Sequence, residues 1–169
     1  MKIIVGLGNP GEVYANTRHN AGILLVDFLS QQLRGDYGWR THKEARVFET
    51  PEILLAKTNG RFMNESGLWV KQVVNNNPEP ELWVAHDDLD IRLGEFKIQR
   101  GVGPKVHHGL NSVEQVLGTT DFWRIRIGVD NRVSENRTPG EEYVLQRFTS
   151  EERQVLEGVL NEIAQTINR

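Results

Sequence analysis

The chain has 169 residues, 38% of them hydrophobic and 25% charged, which fits one globular domain better than two domains, a tail or a linker. Cysteine is absent, and that single count excludes disulfide staples, thiolate-ligated zinc and a cysteine nucleophile. The net charge of −3 gives no overall field for a polyanion, although Arg92 to Arg147 carries nine Lys and Arg against seven Asp and Glu, and the remainder eleven against sixteen.

Apolar runs such as Ala21 to Val26 are far shorter than the roughly 20 residues that cross a bilayer. Met1-Lys2 leads through Ile3-Ile4-Val5 straight into glycines, without a secretory h-region, so a cytoplasmic location is expected.

In chain order, a strand is predicted at Lys2 to Gly6 and a helix from about Ala21 to Leu33, with Leu25, Phe28 and Leu29 on one face. Strands follow at Arg46 to Thr50 and Ile53 to Ala56, joined by a turn at Pro51-Glu52. Ser66, Trp69, Val70 and Val73 recur at helical spacing over Glu65 to Val74, and Asn75-Asn76-Asn77-Pro78 stops that helix. Leu82 to Ala85 reads as a buried strand ending at the polar burst His86-Asp87-Asp88-Leu89-Asp90.

Alternation predicts strands over Glu95 to Gln99 and through Trp123, Ile125, Ile127 and Val129, with a short helix at Gly109 to Leu117 between them. Asp130 to Glu142 reads as a polar loop. The last helix starts at Thr149 with Glu152 three positions on, and Val155, Val159, Ile163 and Ile167 repeat every fourth residue toward the core. The sum is a single α/β domain over 1–169 with a twisted mixed β-sheet flanked by helices.

Gly6-Leu7-Gly8-Asn9-Pro10-Gly11 matches G-x-G-x-x-G after a strand, but a dinucleotide loop must open directly into a helix and be followed by a ribose-binding acid. Here Pro10-Gly11 begins further loop, and Asp27 falls inside the helix. The glycines alone are explained by a tight turn. Asn9 adds an amide that can donate and accept beside a peptide-like group.

Asn9, Asn64 and Asp87 all follow predicted strands, and the carboxyl ends of parallel strands share one edge. His19 falls near the amino end of the first helix, whose dipole favours neutral imidazole. Bonded to Asp87 through one nitrogen, such a ring has its tautomer fixed and its other nitrogen available to water, which is a general-base dyad. A capping or core role for His19 fits the same residues. The absence of Cys and of a G-x-S-x-G turn argues against a covalent acyl-enzyme.

A metal is the competing reading of His86, Asp87, Asp88 and Asp90, but strand alternation sends His86 and Asp87 to opposite sides and no established ligand spacing is present. His107 and His108 are adjacent and make a poor chelate; a helix-start role or one polar contact is the expected use of them.

Gly6 to Gly11, Tyr14, Thr17-Arg18-His19-Asn20-Ala21-Gly22, Phe62-Met63-Asn64-Glu65-Ser66-Gly67, His86 to Asp90, Arg126-Ile127-Gly128 and Tyr143-Val144-Leu145 together resemble, in order and spacing, the bacterial-type peptidyl-tRNA hydrolase family. The resemblance implies a monomeric esterase that cleaves peptide from tRNA in stalled translation, without metal or organic cofactor. It implies His19 as base, Asp87 as its orienting partner, Asn9 and Asn64 as amides on the scissile carbonyl, its water and the peptide, and Tyr14 and Met63 as lining of the peptide groove.

One loop departs from the family. Lys105-Val106-His107-His108-Gly109 stands where relatives read Gly-Gly-His-Asn-Gly, so His108 replaces an asparagine that contacts substrate, and His107 and His108 are the substrate-binding candidates there. Lys97, Arg100, Lys105, Arg126, Arg132 and Arg137 are candidates for tRNA phosphates, with a solvated surface as the alternative for each. A binding-only relative that kept the fold and lost turnover is the competing function, supported by the altered loop and opposed by intact His19, Asn9, Asn64 and Asp87.

Overall fold

The computed structural model describes residues 1–135 and 137–169. Seven strands form one sheet in the order β2-β3-β4-β1-β5-β7-β6. They are β1 (Lys2–Gly6), β2 (Trp39–His42), β3 (Ala45–Glu49), β4 (Ile53–Thr58), β5 (Glu81–Arg92), β6 (Phe96–Arg100) and β7 (Trp123–Asp130). The central β4, β1, β5 and β7 are mutually parallel, and β2, β3 and β6 add antiparallel margins.

Helix α1 (Ala21–Gln32) and the long α5 (Ser150–Ile167) cover one face, packing Leu25, Leu29, Leu156, Leu160 and Ile163 on Ile4, Leu55, Ala85, Ile125 and Ile127. Helices α2 (Ser66–Asn75) and α3 (His108–Leu117) cover the other, where Trp69, Val70, Val73, Leu110 and Val113 meet Ile3, Val5, Leu54 and Val84. A one-turn α4 (Gly140–Val144) precedes α5. The near-continuous apolar central strands follow from this double cover.

Three expectations need revision. Strand β5 does not stop at Ala85 but runs through the polar burst to Arg92, because Asp88 is neutralised inside the sheet by Arg126 of β7 at 2.7 Å. Asp130 to Glu142 is not loop throughout, since α4 begins at Gly140. On α5, Val155 is 44% exposed and the buried stripe runs through Leu156, Val159, Leu160, Ile163, Ala164 and Ile167. A strict four-residue repeat drifts about 40° per step around a helix of 3.6 residues per turn, whereas alternating threes and fours hold one face. The Thr149–Glu152 capping box is formed in both directions, at 3.1 and 2.8 Å.

Two glycines bring α1 onto the sheet. A β-carbon on Gly22 would overlap the Ala85 carbonyl oxygen, and one on Gly6 would overlap the Gly22 carbonyl. Backbone therefore meets backbone where α1 crosses β1 and β5, and the turn before α1 is drawn against the middle of β5.

Candidate active site

The 3-10 turn Arg18–Asn20 carries His19 into this junction. Its Nδ1 lies 2.9 and 3.0 Å from the two Asp87 carboxylate oxygens. Asp87 is 2% exposed and receives a second imidazole, His107 Nε2, at 2.8 Å. His107 is also the N-cap of α3, its Nδ1 accepting the Leu110 amide at 3.2 Å. That bond fixes a tautomer: a ring accepting at Nδ1 carries its proton on Nε2 and donates it to Asp87. The carboxylate is thus held between two N–H donors, with His19 Nε2 facing the cleft.

Electrostatics follow from this geometry. Burial opposes a charge on His19, but the attraction and hydrogen bond of Asp87 outweigh it and hold its pKa above the usual 6.5. Burial likewise opposes the Asp87 anion, yet His19 and His107 hold its pKa well below the ordinary carboxylate value. Asp87 thus favours the proton on His19, and the neutral ring that accepts from water is the form gained as pH rises above that raised value. His86 is different. Fully buried beneath His107, with ring centroids 5.3 Å apart, it is pushed down to about 3, chiefly by burial, and stays neutral.

The donor atoms of His19, Asp87 and His107 lie within 4.8 Å of one another, close enough to hold a metal ion. The cap on α3 works against this use. A metal needs an unprotonated Nε2 on His107, and moving the proton to Nδ1 would set it against the Leu110 N–H.

A cleft of ≈ 690 Å³ opens over His19. Asn9, 8% exposed, is fixed on its floor: its Oδ1 accepts the Met63 amide at 2.7 Å, and Asn20 brackets its backbone at 2.8 and 2.9 Å. With Oδ1 engaged, the Nδ2 donors remain for the cleft. Asn64 and Met63, in the turn Met63–Glu65 that follows β4, also line it, Met63 buried and Asn64 exposed. Gly109 lies beneath Met63, and a β-carbon there would push the Met63 sulfur aside.

The structure thus brings Asn9, His19, Met63, Asn64, Asp87, His107 and His108 to one cleft. His108 is exposed at the rim, its Nε2 4.0 Å from Glu141 Oε1. Tyr14 stands one layer back, edge-on to Phe62 at 6.0 Å, and Phe62 does the lining. Sequence reasoning missed Phe62, Leu89, Val106, Gly140, Glu141, Val144 and Leu145, which complete the walls. Phe62, Leu89, Val144 and Leu145 stood inside recognised motifs, and the unforeseen extension of β5 places Leu89.

The six basic candidates separate by burial. Arg126 is 7% exposed and engaged by Asp88 and Gln99, both at 2.7 Å. Arg132 is held by Asp130 at 2.8 Å and by the Thr138 carbonyl at 2.9 Å. Arg100 and Arg137 are exposed but paired with Asp121 and Asp130. Lys97 and Lys105 are exposed and form no ion pair among the described residues.

Among the described residues no helix is long and apolar enough to cross a membrane. A family profile described as peptidyl-tRNA hydrolase matches residues 3–169. A peptidyl-tRNA hydrolase of Thermodesulfovibrio yellowstonii is 39% identical over 99% of this chain and 90% of its own length. One of Desulfitobacterium hafniense is 36% identical over 95% and 88%. The crystal structure of peptidyl-tRNA hydrolase from Acinetobacter baumannii superimposes with a TM-score of 0.83 at 28% identity, over 99% of this chain and 87% of that one.

Proposed function

The chain belongs to the peptidyl-tRNA hydrolase family, and from that premise we propose that His19 performs its reaction, hydrolysis of the ester between peptide and tRNA, as a general base. The observation that carries this reading is the Asp87 carboxylate fixed between two imidazoles, with His19 Nδ1 held and Nε2 turned to the cleft.

Water between Nε2 and the ester carbonyl gives its proton to His19 as its oxygen bonds to carbon. Asp87 stabilises the imidazolium formed. The oxyanion develops against the Asn9 Nδ2 donors, and one such donor is typically worth about 10²–10³ in kcat. Collapse expels the ribose oxygen of the tRNA, which takes the proton back from His19. Asn64 at the rim supports the peptide and its water, and Met63 with Phe62 forms the apolar seat of the group beside the ester. We further propose that residues 1–169 work as one monomeric domain in the cytoplasm, without metal.

The test is hydrolysis of an N-acetylated aminoacyl-tRNA in excess chelator. Full rate with chelator and loss in His19→Ala support the reading; a chelator-abolished rate returns the metal, and full rate in His19→Ala removes the base. In the same assay His108→Asn is expected to equal or exceed the unmodified chain, because an amide presents two N–H donors beside a carbonyl acceptor, whereas imidazole offers a single donor and a single acceptor on separate edges of its ring. A tenfold loss in that variant would show the loop adapted to histidine.

For tRNA itself we assign phosphate contacts to Lys97 and Lys105, whose charges the fold leaves uncommitted. Affinity for deacylated tRNA should fall with salt, and Lys105→Ala should lower the slope of log K against log salt by about 1. A slope unchanged in a Lys97/Lys105 double alanine variant would move the footprint elsewhere.

A further inference from the structure

Arg18 precedes the proposed base, takes no part in the mechanism above, and is 5% exposed. Its guanidinium carbon lies 3.8 Å from the centroid of the Tyr143 ring. One terminal nitrogen donates to the Tyr143 carbonyl at 3.1 Å and to Gln146 Oε1 at 3.3 Å, and the other meets Glu152 at 2.7 Å. Arg132 approaches the same ring at 5.2 Å. The Tyr143 hydroxyl accepts the Asn131 amide at 3.0 Å and donates to the Val129 carbonyl at 3.3 Å. Backbone bonds from Arg18 N to Gln146 O and from Phe148 N to Asn16 O, at 3.1 and 3.0 Å, join the same two segments.

The wall of the cleft formed by Glu141, Val144 and Leu145 is therefore mounted, through Tyr143, on the turn that holds His19. Glu152, which accepts Arg18, also caps α5, so the turn, the wall and the last helix share one buried ion pair. The apolar side chains among those lining the cleft are Phe62, Met63, Leu89, Val106, Val144 and Leu145.

We infer that Arg18 is a positioning residue for substrate selection: acting through Tyr143, it fixes the distance of the Val144–Leu145 wall from His19 and so favours peptides whose residue at the ester is large and apolar. The inference rests on the function proposed above. It separates this residue from its neighbour, since His19 governs the chemical step and Arg18 the fit of the acyl group. Stacking and forked hydrogen bonding are both needed, which guanidinium supplies and ammonium does not.

The test compares N-acetyl-phenylalanyl-tRNA with N-acetyl-glycyl-tRNA on the unmodified chain, Arg18→Lys and Tyr143→Leu. Arg18→Lys keeps a cation beside Glu152 and is the variant chosen to preserve the fold. The expected result is a rise of about tenfold in KM for the phenylalanyl ester, kcat within twofold, little change for the glycyl ester, and an unmoved pH profile. Val73→Ala, on the opposite face of the sheet, serves as a control for stability loss alone and should leave both KM values in place. Unchanged discrimination in folded Arg18→Lys would overturn the inference, as would a loss confined to kcat with a displaced pH profile, or an equal KM rise in Val73→Ala. Failure of the unmodified chain to cleave either ester would instead remove the function on which the inference rests.

Discussion

Alanine at position 19 is expected to lower kcat/KM for an N-acetylated aminoacyl-tRNA by roughly 10²–10⁴-fold, the usual contribution of a positioned base, with the far-UV spectrum and thermal transition retained. The accompanying pH profile carries the sharper content. Because Asp87 holds the His19 pKa above 6.5, the neutral, proton-accepting form is gained as pH rises, and the acid limb of kcat/KM should have its midpoint above 6.5. The same shift has a second consequence through linkage. A raised folded-state pKa contributes stability that is fully present below the unfolded value and is lost as pH climbs through the folded one. Melting temperature should therefore fall over the interval in which activity rises. A limb centred below 6.5, or one that persists in His19→Ala, would assign the titration to another group.

Asparagine at position 87 should be as damaging as the loss of His19, again roughly 10²–10⁴-fold, for a reason specific to the two-imidazole arrangement. His107 accepts the Leu110 amide at Nδ1 and must present N–H from Nε2. The new amide will turn its oxygen toward that proton and its NH₂ toward His19 Nδ1. His19 is then forced to carry its proton on Nε2, where it faces water as a donor. Removing the constraint should help: His107→Ala added to Asp87→Asn frees the amide to rotate, restores the useful tautomer and recovers about tenfold, a non-additivity expected only of groups in one network. A double variant weaker than Asp87→Asn alone would show that His107 serves the substrate directly and does not steer the carboxylate.

Much of the architecture was legible because local pattern and tertiary burial agree. The runs Lys2 to Gly6 and Ile53 to Ala56 are apolar on both faces and lie in the middle of the sheet, and Trp69, Val70 and Val73 mark the buried side of α2. Strand β2 left no such mark: Trp39–His42 is a sheet margin whose Arg40 and Thr41 are exposed. The continuation of β5 through two aspartates was hidden because its compensation is non-local, Asp88 meeting an arginine 38 positions later and Asp87 meeting histidines 68 positions earlier and 20 later. For the site, the motifs named His19, Asp87, Asn9 and Asn64 as candidates, and chemistry suggested why His19 and Asp87 belong together. A helix-start role for His107 was legible, but its place as the second partner of Asp87 was not, since nothing in Lys105 to Gly109 states that the ring caps with one nitrogen and reaches a carboxylate with the other. Burial of Arg126 was equally invisible, because a basic residue on a strand looks the same whether it faces phosphate or a buried acid.

The order of strands in the sheet has a consequence for how the molecule is made. β6 is synthesised before β7, yet among the described residues β7 is its only neighbour in the sheet and lies between it and β5. A growing chain that has reached the end of α3 thus exposes β5 along one side, with Phe96–Arg100 unable to close it. Only when Trp123–Asp130 leaves the ribosome and slides between them does the edge disappear, and an unpaired edge is where chains adhere to one another. Emergence of that eight-residue segment closes the β5 edge, and α5, made last, then covers the apolar face that β7 completes.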